Sequence, residues 1–210
     1  MSESVDMIRK HLKDAKVIFD LGCANIDPTQ FVGDLNEYQE LRAVYDGAEF
    51  VLVEPDPRWT MSIRNQIFYH RTSFFPVAIA ALNGEVLFHQ SIDWPWSSSI
   101  RRPVDHLRFV PEIKFAADFA VPCRSLDSIF NQLGLRRTVD LIWADIQGAE
   151  IDMIKGGTET FKRTRFLYTE YDNEELYEGQ ISLAGILELL PDFQVVDSWH
   201  NNVLMRNTKL

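Results

Sequence analysis

One stretch constrains this chain more than any other. The apolar run Val17, Ile18, Phe19 meets Asp20, then Leu21 and Gly22, and the small residues Cys23, Ala24 and Asn25 follow. It reads as a buried strand entering a tight turn, with a helical pattern starting at Pro28. Open α/β sheets cradle nucleotide-like ligands at such turns, because small residues admit a close backbone approach and a helix start offers free N–H groups. The alternative is a plain strand–helix joint. A second run, Phe50, Val51, Leu52, Val53, repeats the pattern a helix later and ends in Glu54. Parallel neighbours would set Asp20 and Glu54 on one carboxyl edge, where such sheets bind ligands. An acid at the end of the second strand is suited to accept hydrogen bonds from both hydroxyls of a ribose.

The chain is long enough at 210 residues for one domain with a sizeable core, and we expect a single domain over 1–210 with a loop insertion at about 91–111. A formal net charge of -10 argues against a broad nucleic-acid footprint, since phosphate binding is driven by Lys and Arg. The pairs Arg101, Arg102 and Arg136, Arg137 read as solvated surface. Two cysteines, Cys23 and Cys123, make no disulfide framework and have no zinc-ligand spacing, which fits a reducing cytoplasm. The charged start of the chain is unlike a signal peptide, and no apolar run is long enough to span a bilayer.

Taken in order, Val5, Ile8, Leu12 and Ala15 predict an amphipathic helix, and Phe31, Leu35 and Tyr38 another that stops near Gly47. Trp59, Ile63 and Ile67 mark a further helical face. Residues 74–80 read as a third strand, with Gly84 in a turn and 85–90 returning as a hairpin. Residues 91–111 hold Trp94, Trp96, three serines and His106, the make-up of a lid or binding loop or of a surface connection packed on the sheet edge. After a short strand at 120–123, Ser125 caps a helix with Leu126, Ile129, Phe130 and Leu133 inward. Residues 140–145 and 166–170 are two more strands, ending in Asp145 and Glu170. A helix at 181–190 precedes strands at 193–196 and 202–205, whose short connection forces antiparallel pairing.

These pieces resemble the FkbM-type methyltransferases, a branch of the class I S-adenosylmethionine-dependent enzymes. The matching stretches are 17–25, 51–55, 76–80 with the Gly84 turn, 125–128, 140–150, and Glu170 with 177–190. The most specific is Asp145, Ile146, Gln147, Gly148, Ala149, Glu150 with Lys155 and Gly156, similar to the family's Asp-Val-Glu-Gly-Ala-Glu run. Three places depart. The later Gly of the first turn is missing around Ile26 and Asp27, Ala144 replaces a Lys, and Gln147 replaces a Glu. The resemblance implies a Rossmann-like, mostly parallel sheet of seven strands with an antiparallel last strand and helices on both faces.

It further implies S-adenosylmethionine as cofactor and methyl transfer to a hydroxyl of a small molecule or glycan. Asp20, Gly22 and Asn25 then belong to the methionine side of the cofactor, Glu54 to the ribose and Ala78 to the adenine. Asp145 lies beside the methyl position, as a cofactor contact, a substrate-orienting group, a base or a structural carboxylate of the Gly148 turn. Glu170 and His106 are the other catalytic candidates. Asp145 and Glu170 have no clear third partner for a divalent ion, so no metal is expected. Glu150 reads as an acid favoured by the helix start. The alternative is a methyltransferase-like binding module without activity. A nicotinamide enzyme is disfavoured, because Ala24 and Asp27 stand where its fingerprint needs glycines. Neither the acceptor's identity nor the oligomeric state is encoded in any motif.

Overall fold

The computed structural model describes residues 2–24, 37–67 and 71–210, apart from the side chains of Glu37, Gln66 and His106. Its elements run α1 (Glu3–His11), β1 (Val17–Leu21), α2 (Glu37–Val44), β2 (Glu49–Val53), α3 (Thr60–Ile67), β3 (Thr72–Phe75), β4 (Ala78–Ile79), β5 (Gly84–Phe88), α4 (His106–Phe109) and β6 (Phe119–Arg124). They continue through α5 (Leu126–Gln132), β7 (Val139–Ala144), α6 (Glu150–Gly156), α7 (Thr158–Phe161), β8 (Thr164–Glu170), α8 (Leu183–Leu189), β9 (Phe193–Trp199) and β10 (Asn202–Asn207).

Seven strands form the main sheet in the order β3-β2-β1-β7-β8-β10-β9. The first five are mutually parallel, and β10 is antiparallel to both β8 and β9. Successive side chains of a strand point to opposite faces, and the apolar runs feed two cores. Val17, Phe19, Leu21, Val51 and Val53 pack with Leu126, Met153 and Ile186 from α5, α6 and α8. Ile18, Phe50, Leu52 and Trp143 pack on the other face with Val5, Leu41 and Ile63 from α1, α2 and α3. Three helices, α1, α5 and α8, start on a serine that favours it. Ser2 accepts a hydrogen bond from the Val5 N–H at α1, Ser125 from the Ser128 N–H at α5 and Ser182 from the Gly185 N–H at α8. Among the described residues no helix is long and apolar enough to cross a membrane.

The expected hairpin after the third strand does not form. The stretch read as one strand, 74–80, breaks at Pro76, which has no N–H to continue a ladder. β3 stays in the main sheet, while β4 opens a second sheet of order β4-β6-β5. β6 lies between β4 and β5, parallel to the first and antiparallel to the second. Val121 and Cys123 of β6 bury themselves with Ala78, Ala80 and Phe88, so distant apolar pairing wins over the local turn. This small sheet rests on α6 at Gly156, where a Cβ would overlap the Ala80 carbonyl oxygen.

Residues 91–111 are more ordered than a surface connection. A 3-10 turn at Pro95–Ser97 and α4 interrupt them, and isolated bridges tie His89 to Ser99 and Pro103 to Tyr177. Arg101 is no solvated surface group. Its Nε donates to Asp152 of α6 at 2.7 Å, which moors the loop to the fold.

Candidate functional site

Register brings the acids together. Val53, Leu21, Ala144 and Thr169 lie in one row across β2, β1, β7 and β8. The next residue on each strand is Glu54, Gly22, Asp145 and Glu170, at one carboxyl rim. Asp20 sits one row back, opposite Leu52 and Trp143. The Gly22 N–H donates to Val53 O at 2.8 Å and the Asp145 N–H to Leu21 O at 2.9 Å, so the first turn is held between its neighbours. Gly22 has φ +82°, and a Cβ there would overlap the Asp145 carbonyl oxygen. Only glycine accommodates both the conformation and the approach.

Two adjoining cavities open at this rim. One is a narrow slot of about 60 Å³, walled by Val53, Val77, Ala78, Ile79, Phe88 and Ile100, with Glu54 among its few charged groups. The other is a polar cavity of about 630 Å³ that holds Asp20, Asp145, Glu150 and Glu170. Trp143 and Tyr168, with ring centroids 4.2 Å apart, line it on the α1 side. Gly22, Asp145 and Trp96 line both cavities. The aromatic loop thus reaches the junction of the two rather than packing away on the sheet edge, and Trp96 is 47% exposed there.

Glu54 is buried, and its oxygens accept from the backbone N–H groups of Ala24 at 3.0 Å and Asp56 at 2.7 Å. Burial pushes its carboxyl up to about 7, the two N–H groups pull it down, and the charges of Asp56 and Asp145 push it up. Asp56 lines neither cavity and is held in a cluster with the Arg58 guanidinium and the Gln90 amide. Cys23 lines the polar cavity, and burial with the charges of Asp20 and Glu54 raises its thiol well above the usual range. A thiol so raised is a poor nucleophile.

The strand-seven turn holds two residues whose part the sequence did not disclose. Gln147 takes a left-handed φ of +50°, and its amide Nε2 donates to Asp145 Oδ1 at 2.6 Å and to Glu170 Oε2 at 3.2 Å. Glu150 does open α6, as expected for an acid favoured by a helix start, but it is buried rather than turned to solvent. It is 3% exposed, its Oε2 has no hydrogen-bond partner among the described residues, and burial pushes its carboxyl up to about 8. Tyr177 packs under Gly148, where a Cβ would come within 2.6 Å of the tyrosine Cβ.

Of the residues singled out from the sequence, Asp20, Gly22, Glu54, Ala78, Asp145 and Glu170 all line the two cavities. Asn25 lies outside the described residues. His106 starts α4, and its side chain is likewise outside them. Among the described residues no group of three or more His, Cys, Asp or Glu is arranged to hold a metal ion.

Comparison with known proteins converges on one family. The family model of the methyltransferase FkbM domain matches residues 24–201. The chain is 40% identical to the 2-O-methyltransferase NoeI of Sinorhizobium fredii (strain NBRC 101917 / NGR234), over 94% of this chain and 82% of that protein. The crystal structure of a methyltransferase FkbM from Methylobacillus flagellatus KT shares the fold, with a TM-score of 0.53 at 16% identity. That match covers 92% of this chain but only 43% of the solved one, so this chain spans less than half of that protein's length. With a rim of acids on a seven-stranded sheet, a slot beside it, and a sequence match over most of its length, the chain belongs to the FkbM methyltransferase family.

Proposed function

We propose that this chain binds S-adenosylmethionine across the carboxyl rim and methylates a hydroxyl oxygen of a small molecule or glycan. The observation that carries the reading is the pairing of an apolar slot with an acidic cavity on either side of Gly22 and Asp145. The donor set suits the cofactor. A slot walled by Val77, Ala78 and Phe88 suits a flat base, Glu54 suits vicinal ribose hydroxyls, and Asp20 with Asp145 suits a cationic sulfonium and ammonium. When bound, this cofactor supplies a methyl group already activated on sulfur. The protein's own task is then to align an oxygen and to receive its proton. Asp145 orients the acceptor hydroxyl. Glu170, whose carboxyl burial holds above the ordinary range, takes its proton. The relative's name, a 2-O-methyltransferase, supports oxygen as the atom methylated.

Trp96, half exposed where the cavities meet, is placed to cover a bound acceptor. The unpaired cysteines and the acidic charge favour a cytoplasmic enzyme working as one domain on a free metabolite or sugar. Two measurements test the proposal. Calorimetric titration with S-adenosylhomocysteine is expected to show one site per chain. Labelled methyl is expected to pass from the cofactor to a member of a panel of sugars and hydroxylated metabolites. Failure of the first removes the cofactor assignment, and transfer to amines alone removes the oxygen acceptor.

A further inference from the structure

Two carboxylates that share a cavity usually share a proton as well, because like charges held close raise one another's affinity for it. Asp145 and Glu170, on neighbouring strand ends, have a third side chain between them. The Gln147 amide nitrogen has two hydrogens and gives one to each acid, at 2.6 and 3.2 Å. Its orientation is fixed from behind. The Tyr177 hydroxyl lies 3.0 Å from both Gln147 Oε1 and the Ser97 carbonyl oxygen, so its proton is shared between them. A flipped amide would turn Oε1 toward two carboxylates and lose both bonds.

The backbone of Gln147 carries a cost for this placement. A non-glycine residue at φ +50° is strained by about 1 kcal/mol. The conformation is held by the Ser99 hydroxyl, which donates to the Gln147 carbonyl at 2.6 Å, and by Gly148, which follows it at φ +88°. Strain maintained by these two neighbours, with the side chain delivered between two acids, points to a role in the site.

We propose that Gln147 is a positioning residue, whose amide clamps the carboxylates of Asp145 and Glu170 side by side at the acceptor end of the cavity. The proposal rests on the acceptor reading of that cavity. It explains what a glutamine does at this place in the motif, since a carboxylate at 147 has no hydrogen to offer either neighbour. The titratable groups around the clamp are Asp20 from β1, Glu54 just beyond β2, Glu150 from α6 and Asp172 beyond β8, with Tyr177 behind it. The first four are acids, and in ionised form none of them has a hydrogen to give in the amide's place.

Carbon-13 NMR of the side-chain carboxyls, in the protein without cofactor or acceptor, reads the proposal directly. In Gln147→Glu the Glu170 titration is expected to move up by about one pH unit or more, a tenfold tighter hold on its proton. Tyr177→Phe, which frees the amide from behind, is expected to shift it the same way by less. In each variant that transfers methyl, the pH of half-maximal rate should follow, with S-adenosylhomocysteine affinity within about threefold of the parent. Unmoved carboxyl titrations in Tyr177→Phe and in a folded Gln147→Glu overturn the clamp. Because the NMR arm needs no turnover, it stands apart from the test of methyl transfer. A parent protein that binds no S-adenosylhomocysteine refutes the cofactor reading and leaves the carboxyl titrations to decide the clamp.

Discussion

Replacing Glu150 by glutamine separates a charged role for this residue from a neutral one. The glutamate is 3% exposed, with one oxygen lacking any partner among the described residues. Burial acts first to raise its carboxyl, from 4.5 to about 8. The charges of Asp145 and Glu170 add to this, and the backbone N–H groups of Glu150 and Gly148 oppose it. The folded state therefore keeps a proton that the unfolded chain has released between pH 4.5 and 8, and stability must fall as pH rises through that window. A shift of about 3.5 units at about 1.4 kcal/mol each sets a ceiling near 5 kcal/mol for the loss. Glutamine resembles the neutral acid and has no such slope. Glu150→Gln is expected to match the parent within about 1 kcal/mol at pH 5 and to exceed it by several kcal/mol, up to that ceiling, at pH 9. Urea denaturation at the two pH values measures this. Glu54 titrates in part of the same window in both proteins, so the difference between them isolates Glu150. Parallel stability curves for parent and variant would show that Glu150 is charged in the fold and refute the reasoning.

Three further perturbations have defined outcomes. Glu54→Gln should weaken S-adenosylhomocysteine binding by about ten- to a hundredfold in calorimetry, the worth of one or two hydrogen bonds to a charged group. In the parent that binding should tighten as pH rises through about 7, because only the ionised carboxylate accepts from both ribose hydroxyls, and the variant should lack this trend. Gly22→Ala should cost at least about 3 kcal/mol in urea denaturation, since its Cβ meets the Asp145 carbonyl oxygen and its φ is +82°. Arg101→Ala should lower stability by about 1–3 kcal/mol and raise the acceptor KM several-fold with kcat little changed, because the bond to Asp152 moors the loop that carries Trp96.

The parallel rim was legible because each strand is a short apolar run closed by an acid or a glycine, and strand period and chain order then dictate one edge. Asp20, Glu54, Asp145 and Glu170 could be paired on that ground alone. The second sheet was not legible. β5 finds its partner in β6, some 35 residues away, and the turn at Gly84 looks the same whether or not its two arms pair. Arg101 was misread for a similar reason, as Asp152 lies 51 positions on. Gln147 and Glu150 were visible as letters of a motif, but their parts depend on a left-handed backbone and on Tyr177 folding back beneath Gly148. Neither has a local signature.

The missing side chain at Gly156 gears the two halves of the cavity together. Strand β4 supplies a wall of the slot, and the helix it nests on begins at Glu150, in the acidic half. Any bulk added at that crossing would spread the slot and tilt the acid in a single movement. Evolution can therefore redraw the aromatic loop for new acceptors far more freely than it can thicken this one crossing.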